Sequence, residues 1–353
     1  MKVCQIETPA LILDLDVMER NMAVMKAFTD SVGIRLRPHY KSHKCTSIAH
    51  MQMAAGAKGL CCAKTSEAAD LVRAGIEDLL IANQVTEPAK IAQVASLAKC
   101  CRLTVCVDSA QNVRDLEAAA AVQDSLICCL VEFDIGMGRC GVATREEVLA
   151  LADQISACPH LHFEGIQAYA GHLAHQTDLE LRRQASGEIE QALWKLRRFL
   201  EERGYEVKEI SGVSTGTAML RSENSVYTEI QAGSYLFMDT AYNALNLAFS
   251  NSLFVLATVI RLGGGLLVTD AGLKSVSVDQ RPPVFREYPD LPIRFSEEHS
   301  TLVADRFSHA VGDRLCMVPS HCCTTVNLHD FFYFVRGDRV VDRVPVTSRG
   351  KSL

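Results

Sequence analysis

The sequence predicts an α/β architecture of one kind: a parallel (β/α)8 TIM barrel followed by a second, mostly β C-terminal domain. Three observations predict it. Short apolar runs alternate with longer segments of helical period from residue 34 to about 235; helical signals fade after about residue 240; turn chemistry replaces them there. The strand-like runs fall at 34–38, 59–63, 78–82, 102–107, 126–133, 163–169, 207–212 and 228–231. Eight strands alternating with helices imply a barrel whose active site lies at the carboxyl ends of the strands. The clearest helix covers 179–203, where Ile189, Leu193, Leu196 and Leu200 recur at helical spacing and Gly204 follows as a stop. Thr144 and Glu147 read as a capping box that opens another. Further on, Gly263-Gly264-Gly265 lies between FVLATVIRL and LLVTD, as a hairpin requires. The early run ALILDL precedes the eight strands and is expected to pair with the C-terminal domain. The expected domains are therefore a barrel over 16–240 and a β domain made of 1–15 plus 241–353.

Composition narrows the function classes. A chain of 353 residues exceeds one ordinary domain, and 48% hydrophobic against 22% charged residues excludes general disorder. Lys and Arg number 36 against 42 Asp and Glu, a net charge of −6, and no basic run with interleaved aromatics appears, so a nucleic acid partner is not expected. The N-terminus meets acidic residues before it builds the apolar core of a secretory signal. No stretch approaches the ~20 apolar residues of a membrane span. The expected location is cytoplasmic, with no membrane partner. Fourteen cysteines are spread along the chain, several inside apolar runs such as SLICCLV. Roughly nine in ten are expected to be reduced and buried.

The chemistry gathers at strand ends. RPHYKSHK (37–44) follows the first barrel strand, so Lys41 emerges at the mouth, where an amine can form a Schiff base. Read alone, a lysine is far more often a solvated surface charge. Two other strand ends carry VEFDIGMGRCG (131–141) and GIQAYAGH (165–172). SGVSTGT (211–217) follows a strand, and its small residues with backbone N–H groups suit a phosphate dianion; a simple turn is the alternative. Near the C-terminus stands PSHCCTTVNLHD (319–330). In an extended strand His321 and Cys323 point to one side and Cys322 to the other, so the first two can hold one ion. Two ligands leave positions open for water and substrate, the arrangement of a catalytic metal. By itself a His-x-Cys pair is more often incidental.

Together these segments resemble the fold-type III pyridoxal phosphate (PLP) enzymes, which include alanine racemase and the D-threonine aldolase and D-serine dehydratase group. The resemblance covers nearly the whole chain. RPHYKSHK is similar to the PLP-lysine motif, which implies that Lys41 carries the cofactor. FDIGMGRCGV resembles the racemase segment whose arginine faces the phenolic oxygen of PLP, which implies that role for Arg139. Tyr169 matches the position whose ring stacks on the pyridine. Ser214, Thr215, Gly216 and Thr217 match part of the phosphate cup, and Gln231, Gly233, Ser234 and Tyr235 complete it. Gln231 stands where alanine racemase has an arginine beside the pyridine nitrogen, a departure that alters how the ring stores electrons. His321 and Cys323 match the metal pair that coordinates the substrate's β-hydroxyl. His175, six residues after Tyr169, matches a candidate base, with His172 as its substitute. In DAGLKSVSVDQ (270–280), Asp279 is a candidate substrate contact, with a structural role as the alternative.

The resemblance also sets the branch. D-threonine aldolase-like enzymes commonly show His-x-Asp in a PSHCD-like segment followed by TVNL; dehydratases show His-x-Cys in a PNHAC-like one. This chain has the flanks of the first and the Cys323 ligand of the second, and the longer flanks weigh more. The implied activity is a PLP- and divalent-metal-dependent lyase that cleaves the Cα–Cβ bond of D-β-hydroxy-α-amino acids, giving glycine and an aldehyde. The alternative is a D-serine or 3-hydroxy-D-aspartate dehydratase, giving a 2-oxo acid and ammonia. A racemase, which needs no metal, and a non-catalytic PLP carrier, which generally lacks the β domain, are disfavoured. A thiolate ligand favours Zn²⁺ over Mn²⁺ or Mg²⁺, with Co²⁺ a further candidate. Small-molecule D-amino acid substrates and a head-to-tail homodimer are implied as partners.

Overall fold

The computed structural model describes residues 1–353, which divide into two compact units: 26–41, 49–233 and 351–353 in one, 1–25, 42–48 and 234–350 in the other. No helix is long and apolar enough to cross a membrane.

Strand β1 (Ala10–Asp14) belongs to the second unit. The first holds β2 (Arg35–Leu36), β3 (Leu60–Cys62), β4 (Asp78–Ile81), β5 (Arg102–Val107), β6 (Ile127–Glu132), β7 (Leu161–Ala168), β8 (Glu209–Gly212) and β9 (Glu229–Ile230). Their order across the sheet is β2-β9-β8-β7-β6-β5-β4-β3, and every neighbouring pair is parallel. Each of the eight expected runs coincides with one of these strands, although β7 begins two residues before its run. The runs read as nearly unbroken apolar stretches because both faces are covered: every residue of β6 is buried. Closure comes just beyond the two-residue β2, where the Cys61 amide donates to the Pro38 carbonyl at 2.9 Å and His39 bridges Cys61. On its other side the Arg37 amide donates to the Ile230 carbonyl at 2.9 Å. The crossover helices start and stop where their signals stand. Helix Leu179–Glu201 is capped by Asp178, whose carboxylate accepts from the amides of Glu180 and Leu181, and it buries Leu193, Leu196 and Leu200. Helix Arg145–Ser156 opens with the Thr144 and Glu147 capping box in place.

Register breaks once in the barrel. Cys129 pairs with Phe163 but Leu130 pairs with Gly165, so Glu164 is bulged out of β7. Gly165 has φ +147°, and a Cβ there would lie 1.9 Å from the Glu209 carbonyl oxygen. Only glycine fits.

At the amino-terminal ends of the strands, buried charges knit the sheet together. Arg37, 2% exposed, sends Nε to both carboxylate oxygens of Glu229 (3.1 and 3.0 Å) and Nη1 to Asp78 (2.7 Å). Lys58 donates to Glu229 at 2.8 Å and also to Glu209. Burial alone would raise the Glu229 pKa, but the charges of Arg37 and Lys58 outweigh it and hold it down at about 2.

In the second unit, β1 pairs antiparallel with β10 (Leu253–Gly263) and parallel with β16 (Phe331–Arg336), as expected for the ALILDL run. Gly263 pairs with Leu266 at the head of β11 (Leu266–Thr269), closing a hairpin over Gly264 and Gly265, both at positive φ. The sheet is completed by β12 (Val284–Phe285), β13 (Arg294–Phe295), β14 (Ser300–Val303), β15 (Arg314–Val318) and β17 (Arg339–Pro345). All fourteen cysteines are free. Burial falls short of the expectation: Cys4 and Cys100 are exposed, and Cys101, Cys140, Cys158 and Cys323 half-buried, because they sit in loops and at helix ends rather than in strands.

Two predictions follow from this packing. A carboxylate whose folded pKa lies below its ordinary value of 4.5 stabilises the fold above that pH and loses the contribution as pH falls toward about 2. Glu229 therefore contributes up to roughly 3 kcal/mol that disappears over that window. Urea midpoints measured from pH 5 down to 2.5 should fall for the native chain and fall less steeply for Glu229→Gln; equal slopes count against it. Gly165→Ala should cost more than about 3 kcal/mol in urea unfolding, since the methyl group meets backbone rather than a movable side chain.

Candidate functional site

Residues from the carboxyl ends of several strands converge on one cavity of about 240 Å³ in the barrel unit. Lys41 lies in the single 3-10 turn Tyr40–Ser42 beyond β2, with its amide donating to His39 Nδ1 at 3.3 Å. Ala63 follows β3, Ala82 and Asn83 follow β4, and Asn83 Nδ2 donates to the Ala63 carbonyl at 3.2 Å, tying the two strand ends together. Gln167 and Tyr169 come from the end of β7, and Gln231 from the end of β9. The Lys41 amine stands 5.7 Å from the centre of the Tyr169 ring and the Arg139 guanidinium carbon 5.9 Å from it, so two cations flank one aromatic ring.

Arg139 is presented by a loop built on Asp134. One oxygen of that carboxylate accepts from the amides of Gly136 (3.0 Å), Met137 (2.9 Å) and Gly138 (3.1 Å). The Gly138 bond above all lowers the Asp134 pKa from its ordinary value. Arg139 itself stays half exposed, with Glu132 4.0 Å away. Burial pushes the Glu132 carboxyl up, against its bond from Gln84.

Gln231 is buried and its amide orientation is set from two sides. Nε2 donates to Gln167 Oε1 at 2.7 Å and to Ser211 Oγ at 2.8 Å. Its oxygen receives only a long bond, 3.4 Å, from Gln167 Nε2. Gln231 thus offers an acceptor, where the arginine of the racemases offers a donor.

Segment 211–217 leaves β8 through Val213, a β-branched residue at φ +67°, a strained geometry of the kind that marks backbone aimed at a ligand. Ser214, Thr215, Gly216 and Thr217 follow, all buried, with Ser214 Oγ 3.2 Å from Thr217 Oγ1. An amine, a nearby guanidinium, an aromatic ring, an amide acceptor and a hydroxyl-lined turn form a donor set that fits PLP. Gly233 closes this unit. His172 and His175 are both exposed, the first in the 3-10 turn Gly171–Leu173 and the second in the turn after it.

In the other unit, Ser234 and Tyr235 are buried in the turn Ser234–Leu236, and Ser234 Oγ lies 3.9 Å from Cys323 Sγ. The metal-pair segment differs from the extended strand expected of it. His321 is extended, but Cys322–Val326 is a short helix. Asp239, fully buried, imposes this by accepting from the amides of Cys322 (2.9 Å) and Tyr242 (2.9 Å), capping two short helices at once. Cys322 therefore does not face away from its neighbour: the two sulfurs are 3.9 Å apart, with Cys322 buried. His321 and Cys323 still lie within hydrogen-bonding reach of each other. Burial would lower the His321 pKa, but Cys323 and then Asp279 outweigh it and hold it up at about 10. The pair draws positive charge, its nitrogen and sulfur donors suit a divalent ion, and no third His, Cys, Asp or Glu completes a cluster with it. It fits an open site.

Two larger hollows, of about 780 and 580 Å³, lie at the opposite end of the barrel strands. The smaller is lined by Arg35, Lys58, Asp78, Arg102, Glu164 and Glu209, which pair with one another. Groups at that end of such a barrel serve stability. Sequence reasoning missed His39, Asn83 and Gln167 as pocket residues, although each sits at a strand end, which was the available signal.

The profile of the alanine racemase N-terminal domain matches residues 13–241, and that of a putative serine dehydratase domain matches 252–335. The chain is 40% identical to the D-threonine aldolase of Arthrobacter sp, over 99% of this chain and 94% of that protein. It is 39% identical to the 3-hydroxy-D-aspartate aldolase of Paracoccus denitrificans (strain Pd 1222), again over 99% and 94%. The crystal structure of D-threonine aldolase from Filomicrobium marinum superposes with a TM-score of 0.97 at 39% identity, covering 100% of this chain and 98% of that one. Likeness of this extent, along both units, makes the chain a member of the fold-type III PLP enzymes, in their D-threonine aldolase and D-serine dehydratase-like family.

Proposed function

We propose that the protein is a PLP- and divalent-metal-dependent lyase that cleaves the Cα–Cβ bond of D-β-hydroxy-α-amino acids to glycine and an aldehyde. The observation that carries this is the Lys41 amine in a strand-end cavity beside Tyr169, Arg139 and Gln231. Full-length likeness to two proteins named as aldolases of such substrates supports the choice of reaction.

When bound, PLP supplies an electron sink for the carbanion left on Cα. A divalent ion held by His321 and Cys323 supplies Lewis acidity toward the substrate's β-hydroxyl. Lys41 would hold the cofactor through its amine. Arg139 sets a positive charge over one edge of the site, and Tyr169 gives the cofactor a flat wall. Gln231 keeps its oxygen turned to accept, because Ser211 and Gln167 hold both its amide hydrogens. Ser214, Thr215, Gly216 and Thr217, with Gly233, would line the phosphate end. His175 takes the proton from the β-hydroxyl. The homodimer and the cytoplasmic location belong to this same reading. Dehydration to a 2-oxo acid and ammonia is the second reading, favoured by one residue: the thiol of Cys323.

Lys41→Ala should lose the visible absorbance band of the lysine-linked cofactor and more than about 10³-fold in kcat/KM. A variant that stays yellow and active would refute the assignment. Incubation with D-threonine, D-serine and 3-hydroxy-D-aspartate should release glycine and an aldehyde. Keto acid as the sole product would reassign the enzyme as a dehydratase. Thorough EDTA treatment should abolish turnover and Zn²⁺ or Mn²⁺ should restore it; full activity after chelation would remove the metal from the reading.

A further inference from the structure

We propose that Asp279 is the positioning residue of the metal pair: its carboxylate accepts Nδ1–H of His321, fixing the tautomer and leaving Nε2 for the ion. This rests on the reading of His321 and Cys323 as metal ligands. Asp279 Oδ2 lies 3.0 Å from His321 Nδ1. A neutral imidazole has one N–H and one lone pair, so an acceptor placed on Nδ1 directs the lone pair to the other nitrogen. The carboxylate is itself held, since Thr324 Oγ1 donates to Asp279 Oδ1 at 2.9 Å.

The segment that carries Asp279 is stitched to the ligand segment on both sides. Ser277 Oγ donates to the His321 carbonyl at 3.0 Å and the Ser277 amide to Thr325 Oγ1 at 3.1 Å. On the far side the Gln280 amide donates to Ser320 Oγ at 2.8 Å. Asp279 thus faces His321 because bonds before and after it align the two backbones. A histidine ligand oriented by a carboxylate binds its ion more tightly, and loss of such a partner typically costs 10- to 100-fold in affinity. With only two protein ligands, this orientation accounts for a large share of the site's hold on the ion.

The test is a Zn²⁺ titration of the PLP-loaded, metal-stripped chain against a chromophoric chelator. The native chain should bind one ion, and His321→Ala should abolish binding. Asp279→Asn should weaken Zn²⁺ binding about 10- to 100-fold, leave the PLP absorbance and the metal-free melting temperature unchanged, and regain kcat at saturating Zn²⁺. Thr324→Val, which keeps Asp279 but frees its second oxygen, should weaken binding by a smaller factor. If the native chain takes up no ion, or His321→Ala binds as well as it does, the metal reading itself falls. If His321→Ala abolishes binding while Asp279→Asn stays within twofold of native, the metal reading stands and the positioning role is overturned. A raised KM for substrate with unchanged Zn²⁺ affinity would also overturn it, making Asp279 a substrate contact.

Discussion

The barrel depends on one buried guanidinium. Its weakest junction is the one it must close, between the two-residue β2 and the three-residue β3, where few backbone bonds are available. Arg37 reaches from that junction to Glu229 in β9 on one side and to Asp78 in β4 on the other, passing Gly59, where a Cβ would meet its Nη1 at 2.7 Å. Breaking a buried pair of this kind costs about 3–5 kcal/mol, because the surviving charges cannot return to water. Lys41 follows four residues later, so the clamp that closes the barrel also determines where the Lys41 amine emerges.

What was legible in the sequence follows from which forces act locally. The eight barrel strands could be read because parallel strands covered on both faces are apolar without interruption, as in β6. Helix Leu179–Glu201 and the Thr144 cap could be read because periodicity and capping operate within one or two turns. The His321 segment was misjudged because its backbone is decided by Asp239, more than eighty residues away in sequence, which caps a helix no local pattern announces. Gln167 and Asn83 went unnoticed for a related reason: a lone amide carries chemistry only through its partners, and those partners are set by register across strands. The cysteines divided likewise. Those inside strands are buried, whereas Cys100, Cys140 and Cys158 sit where the chain turns.

The two units present their chemistry in contrasting ways. In the barrel, each candidate group sits just past the end of a strand and is braced by a neighbouring end, as Asn83 is by Ala63 or Gln231 by Ser211 and Gln167. In the β unit, His321 precedes and Cys323 rides on a short helix, and the segment is held by the buried Asp239 carboxylate and by the hydroxyls of Ser277 and Thr324. Rigid framing lets a small number of polar side chains keep fixed orientations without a dense shell of charge.

The unpaired residue in β7 has a consequence for handedness of presentation along that strand. Leu130 packs with Cys61, Leu80 and Cys106, one residue from each of four successive strands, and this layer lines the barrel's lumen. Gly165 is the partner of Leu130, so by alternation Gln167 and Tyr169 share its side. Counted from Phe163 without the interruption, the same two residues would fall on the outer surface, against the helices. Glu164 thus acts as a parity switch: one surplus residue inverts the odd and even positions downstream, turning an amide and a phenol inward.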